Sequence, residues 1–204
     1  MTNLIFNNNY PNVIVFTHND MDGIFSAMII KMKYDNNLLN SDWEKNVTCH
    51  VCSYGEKYRN LDWFKDKVNE SYIKGARNIV YMTDYAIQPN NLMVNFWNWL
   101  SDKGCEFYWI DHHITSIENL NHYNIPGYQR SCNSGCMNTW YTVMKVDDTI
   151  PTAPLCLKYA NDFDIWNKES EYSWDKQLYP LCYFIESLGI ELNDNTRRIS
   201  ANML

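Results

Sequence analysis

No apolar run in these 204 residues approaches the length a bilayer-spanning helix needs. The opening Met1-Thr2-Asn3 has no basic region of the kind that begins a secretory signal. Positive charge is also scarce: 17 Lys and Arg stand against 24 Asp and Glu, for a net charge of −7. A protein that grips long nucleic acid by its phosphates carries a basic face, so a long duplex is not an expected partner, and neither is a membrane. Cysteines number seven, an odd count. These shortages indicate a cytoplasmic protein with reduced thiols. The acidic balance is compatible with a small phosphorylated ligand, because bound divalent cations supply positive charge locally.

What is present is apolar and aromatic. Hydrophobic residues make up 46% of the chain and aromatics 15%, with eight Trp, which is ample for a core and unlike a disordered segment. Cys49-x-x-Cys52 suggests zinc or redox chemistry, but Val47, Cys49 and Val51 alternate as one face of a strand, and that reading is preferred. Cys132 and Cys136 lack a second pair at finger-like spacing, so no structural zinc site is expected.

Apolar runs predict strands at residues 12–17, 47–53, 78–83 and 105–110, and a short one at 127–131. Helical spacing predicts helices over 23–34, over 61–73 with Gly75 as C-cap, and from Pro89 to Lys103-Gly104. Further helices are expected from Ser134-Gly135 to Met144, over 155–161 and over 174–188. Residues 1–11 read as a lead-in, 35–45 as a polar loop, 114–126 as irregular, and 190–204 as a polar tail. Alternating strands and helices predict an α/β fold, a mostly parallel sheet with helices on both faces. One domain covers 1–204, with 151–204 a helical C-terminal extension.

The strand exits carry the chemistry. Val13-Ile14-Val15-Phe16 runs into Thr17-His18-Asn19-Asp20-Met21-Asp22-Gly23, the third strand into Asp84, and the fourth into Asp111-His112-His113. A further acidic cluster, Asn161-Asp162-Phe163-Asp164-Ile165-Trp166, comes later. Ligands of open α/β sheets bind at the carboxyl ends of the strands, so these residues can converge. His18, Asp20 and Asp22 alternate, and an extended exit would aim all three at one pocket. Taken singly each has a plain explanation: Asn19-Asp20 caps the next helix, Asp84 forms a turn, and an Asp-His pair is a structural hydrogen bond. Taken together, carboxylates and imidazoles suit Mn²⁺, Mg²⁺ or Fe²⁺ better than a thiolate zinc centre does. Two such cations about 3.5–4 Å apart stabilise both oxygens of an in-line phosphoryl displacement and acidify a bound water.

These motifs in this order resemble the DHH phosphoesterase superfamily. Ser134-Gly135-Cys136-Met137-Asn138-Thr139-Trp140 and the 161–166 cluster look closest to its oligoribonuclease and cyclic-nucleotide phosphodiesterase branch. The resemblance implies a DHH-type phosphoesterase domain with two divalent cations, most readily Mn²⁺. His18 and Asp20 would hold one metal, Asp22 and His112 the other, and Asp84 would bridge them. Asp162 would be the fourth-motif ligand, with Asp164 as the fallback. His113 would face the substrate phosphate and Asp111 would orient a neighbouring imidazole. Ser134, with the N–H groups opening its helix, and Arg130 would contact phosphate.

The chain departs from the family after Asp164, where about forty residues follow with no Gly-Gly-His-type motif. The substrate-gripping lobe of many members is therefore expected to be absent or reduced. A metal-dependent phosphodiesterase acting on a small nucleotide, either a cyclic nucleotide or dinucleotide or a short oligoribonucleotide, is the leading expectation. A nucleotide-binding module of the same fold without turnover is the alternative, and a structural subunit with solvated His and Asp is a third. Trp43, Trp63 and Trp174 leave base stacking and self-association as a homo-oligomer both open.

Overall fold

The structure, a computed structural model, describes residues 11–34 and 47–187. Most of the expected lead-in, all of the polar loop, the tail and Trp43 lie outside the described residues.

Five strands form one sheet: β1 (Asn12–His18), β2 (Val47–Cys52), β3 (Asn78–Thr83), β4 (Glu106–Asp111) and β5 (Gly127–Gln129). All neighbours run parallel, in the order β2-β1-β3-β4-β5. Helices α1 (Met21–Tyr34), α2 (Leu61–Ser71), α3 (Asn90–Asp102), α4 (Ile114–Leu120), α5 (Gly135–Val143), α6 (Leu155–Asp164) and α7 (Tyr179–Ser187) connect and follow them. Every residue of β3 is buried, as a strand covered on both faces requires.

Successive side chains alternate between two cores. Val13, Val15, Ile79, Tyr81 and Ile110 pack under α1, α5 and α6 through Ile24, Ile30, Trp140 and Leu157. Ile14, Phe16, Val80, Met82, Phe107 and Trp109 meet Phe64 and Val68 of α2 and Phe96 and Leu100 of α3. The same alternation separates Cys49 from Cys52, which join opposite cores. The pair therefore shares no chelate, and all seven cysteines are free thiols.

Local chemistry corrects several boundaries. α1 starts at Met21, not at residue 23, because Asp20 caps it there: the Gly23 N–H donates to Asp20 Oδ1 at 2.9 Å. α2 stops at Ser71, and Tyr72 is extended, so Gly75 (φ +84°) serves the following turn and is no C-cap. Residues 114–120, expected to be irregular, form α4, which the Ile117 N–H closes onto the His113 carbonyl. Leu120 is buried and Ile117 packs against the α2–α3 core, whereas Ile114 is exposed. A seven-residue helix with so few apolar anchors shows little periodicity. The expected helix 174–188 divides into a wide turn, Trp174–Leu178, and α7. Pro180 then falls in the first turn of α7, where its missing N–H costs nothing. Among the described residues no helix is long and apolar enough to cross a membrane.

Candidate metal centre

In this strand order the chain passes from β1 to β2 on one side and then crosses back from β2 to β3 on the other side of β1. Such a switch point opens a crevice at the carboxyl ends of the strands, and the predicted residues gather there. The two exits are tied together by the Thr83 hydroxyl, which donates to Thr17 Oγ1 at 3.0 Å while Thr17 donates to the Gly23 carbonyl at 2.7 Å. A Cβ at Gly23 would lie 2.2 Å from the His18 carbonyl oxygen, so only glycine lets α1 turn back this closely.

On the β1 side, Asp20 has two roles at once. Oδ1 caps α1 and Oδ2 lies 2.5 Å from His18 Nδ1. Burial pushes the Asp20 carboxyl up, but the hydrogen bond and charge of His18, with the Gly23 N–H, outweigh it and hold the carboxyl at about 2. Asp22 is not on an extended exit, as alternation predicted, but in the first turn of α1. Its carboxylate accepts the N–H groups of Gly135 at 2.6 Å and Cys136 at 2.8 Å, the open end of α5. The helix dipole favours an anion there.

Asp84 stands immediately after β3 with φ +52°, a left-handed conformation that Asp tolerates better than most residues. It is 1% exposed, and neither of its carboxylate oxygens has a hydrogen-bond partner. Burial, then the charges of Asp22, Asp20, Asp111 and Asp164, push it well above the usual carboxylate range. At the end of β4, Asp111 is fully buried and its Oδ1 accepts from the His112 N–H, the His113 N–H and His113 Nδ1. His112 Nε2 reaches 3.2 Å from Asp84 Oδ1, 3.4 Å from Asp164 Oδ2 and 3.8 Å from Asp22 Oδ2. Burial, with the charge of His113, lowers the His112 pKa against the pull of Asp22, Asp111 and Asp20. For His113 burial acts downward too, but the hydrogen bond and charge of Asp111 prevail and the net shift is upward.

Three ligand groups result, each with its donor atoms within 4.8 Å of one another: His18, Asp20 and Asp84; Asp22, His112 and Asp164; and Asp84, His112 and His113. The set fits divalent cations. Buried carboxylate oxygens on Asp84, Asp111 and Asp164 have no hydrogen-bond partner among the described residues, and a desolvated anion is costly until something positive meets it.

Of the two late acids, Asp164 lies in these groups and Asp162 does not. Asp162 is turned away and held by Ser170, Asn167 and Asn161. The reason is helical phase: Leu157, Ala160 and Asn161 are the buried face of α6, Asp164 continues that i, i+3, i+4, i+7 series, and Asp162 does not. That periodicity was the available signal. Asp164→Asn is expected to weaken Mn²⁺ binding by at least ~10-fold, whereas Asp162→Asn should keep the metal and cost about 1 kcal/mol of stability. Calorimetric titration of both variants checks this, and the reverse order would restore Asp162.

Ser134 also departs from expectation. It is fully buried, its hydroxyl accepts the Met137 N–H, and its backbone N–H donates to Asn161 Oδ1. The N–H groups of Gly135 and Cys136, expected to meet phosphate, belong to Asp22. Arg130 lies beyond β5 at the same sheet end, exposed and 5.7 Å over the Tyr128 ring. Asn138, which the motifs did not single out, ties the Asp111 and Arg130 carbonyls together. Gly135, expected only to open a helix, also has a place in the centre. A Cβ on it would sit 2.7 Å from Asp84 Cβ and 2.9 Å from Asp22 Oδ2, so Gly135→Ala is expected to cost about 1–3 kcal/mol and to weaken Mn²⁺ binding, measurable by melting with and without the metal.

Comparison with known proteins gives the fold. No family model matches the chain, and no curated protein does. Among solved structures it is similar to an uncharacterized protein from Helicobacter pylori G27, with TM-score 0.58 and 14% identity over 78% of this chain and 45% of that one. It is also similar to the DHH domain of a member of a family of ribosomal proteins, with TM-score 0.51 and 13% identity over 89% of this chain and 44% of that one. The chain thus spans less than half the length of either. Its parallel five-stranded α/β architecture is the fold of a DHH domain.

Proposed function

We propose that this chain is a phosphodiesterase that uses two divalent cations, Mn²⁺ in the first instance, to hydrolyse small nucleotides: cyclic mono- or dinucleotides or short oligoribonucleotides. One observation carries the reading. Asp84, buried and with no hydrogen-bond partner among the described residues, stands at the β1/β3 switch point between one ligand group from β1 and another from α1, β4 and α6. When bound, the cations offset this carboxylate charge, polarise the phosphoryl oxygens and activate water.

The residues divide the work accordingly. His18 and Asp20 hold one cation, Asp22, His112 and Asp164 the other, and Asp84 serves both. His113, fixed at Nδ1 by Asp111, presents Nε2 to the phosphoryl group and stabilises charge that develops there. A net charge of −7 favours short substrates over long strands, which need an extended basic track. A cytoplasmic site of action with reduced thiols belongs to the same reading.

The test is a Mn²⁺-dependent hydrolysis screen of short RNA, cyclic mono- and dinucleotides, 3′-phosphoadenosine 5′-phosphate and pyrophosphate. Cleavage of one nucleotide, lost in Asp84→Asn, is expected. No cleavage of any member while Mn²⁺ is bound would overturn the catalytic reading.

A further inference from the structure

Tyr54 belongs to none of the motifs, yet it leans over the metal centre from the end of β2. Its ring centroid is 5.0 Å from that of His18 and 5.3 Å from that of Tyr85. Its hydroxyl lies 3.4 Å from His113 Nε2. Asp111 occupies the other ring nitrogen of His113 at 2.8 Å, so Nε2 is the atom left for a ligand, and Tyr54 stands against it. Tyr54 is 45% exposed, which leaves it reachable from solvent. A phenol carries its proton at neutral pH, so the hydroxyl is a donor. A 3.4 Å contact is at the loose end of hydrogen bonding, and catalytic contacts in ligand-free sites are often long until substrate tightens them.

We propose that Tyr54 is a substrate-contacting residue whose hydroxyl donates to a non-bridging oxygen of the phosphoryl group that His113 also faces. A phosphoryl oxygen is a stronger acceptor than the imidazole it would replace. The ring's packing on His18 and Tyr85 fixes the direction of that donor. The inference rests on the phosphodiesterase reading.

Tyr54→Phe isolates the hydroxyl, since the ring and its packing stay. The probe is inorganic phosphate, titrated calorimetrically into the manganese-loaded protein, with Mn²⁺ affinity measured separately. The variant is expected to bind Mn²⁺ like the parent and to bind phosphate about tenfold more weakly, the effect of one charge-assisted hydrogen bond. Equal phosphate affinity in the two proteins would overturn the role of Tyr54 and leave the phosphodiesterase reading standing. Weakened Mn²⁺ affinity would overturn it too, by making Tyr54 a support for His18. If the loaded parent binds no phosphate, the phosphodiesterase reading falls and the role of Tyr54 with it.

Discussion

Asp84→Asn is expected to abolish turnover, by on the order of 10³-fold or more, while making the metal-free protein more stable. The two effects share a cause. Asp84 is buried without a hydrogen-bond partner for either oxygen among the described residues and faces Asp22, Asp20, Asp111 and Asp164. Its charge is useful only when cations meet it and is a burden otherwise. Asparagine removes the charge, retains the shape and accepts the left-handed backbone at φ +52°. Alanine is a poorer choice there, because a plain Cβ in that conformation adds roughly 1–2 kcal/mol of strain and confuses the stability reading. The melting temperature of metal-free Asp84→Asn should rise by about 2–4 °C, the equivalent of about 1 kcal/mol in a protein of this size. Added Mn²⁺ at about 100 times its Kd should stabilise the parent by about 2.7 kcal/mol and the variant hardly at all. A variant that still gains stability from Mn²⁺, or still hydrolyses substrate, would sink the shared-carboxylate model.

The second large effect is a metal-dependent reversal of pH sensitivity. Burial and the charges of Asp22 and Asp20 push Asp164 up to about 8, and Asp84 is raised as well. A carboxyl whose pKa is higher in the folded state binds more protons there than in the unfolded chain. Stability then falls as pH rises from the unfolded value near 4 to the folded one. His113, also raised, acts in the same direction. His112, lowered mainly by burial, acts the other way only between its folded pKa and 6.5, so the carboxyls set the sign. Without metal, raising the pH from 5 to 8 should lower the melting temperature by roughly 5–10 °C. That figure takes about 1.4 kcal/mol for each tenfold change in proton affinity and about 2–4 °C per kcal/mol, with allowance for relaxation. Saturating Mn²⁺ should flatten or invert that slope, since cations prefer deprotonated ligands. A metal-free protein whose melting temperature is level or rising over this range would show that the cluster is solvated and unstrained.

The sheet was legible because parallel strands buried on both faces read as short apolar runs, and residues 12–17, 78–83 and 105–110 coincide with β1, β3 and β4 to within a residue at each end. His18, Asp20, Asp84 and His112 were legible for the same reason: a polar residue directly after such a run must stand at the sheet's carboxyl edge. What could not be read was direction. Asp162 and Asp164 are equivalent as composition, and only the phase of α6 separates them. Ser134 looked available because it opens a helix, but nothing local announced that Asp22 would arrive from 113 positions away to occupy that end. Tyr54 was hidden because its strand carries no acid or histidine at the exit, so its place over the centre follows only from β2 lying beside β1.

That long-range contact has a bearing on how the molecule is made. A ribosome releases Asp22 early, yet its carboxylate waits for Gly135 and Cys136, and the second ligand group waits further for Asp164. All five strands, through Gln129, emerge before either arrives. A nascent chain can therefore complete these strands, with His18, Asp20 and Asp84 already emerged, and still lack the group of Asp22, His112 and Asp164. On the two-cation reading the second site would be completed last, and full metal occupancy would distinguish finished molecules from those whose strands paired but whose α5 and α6 never docked.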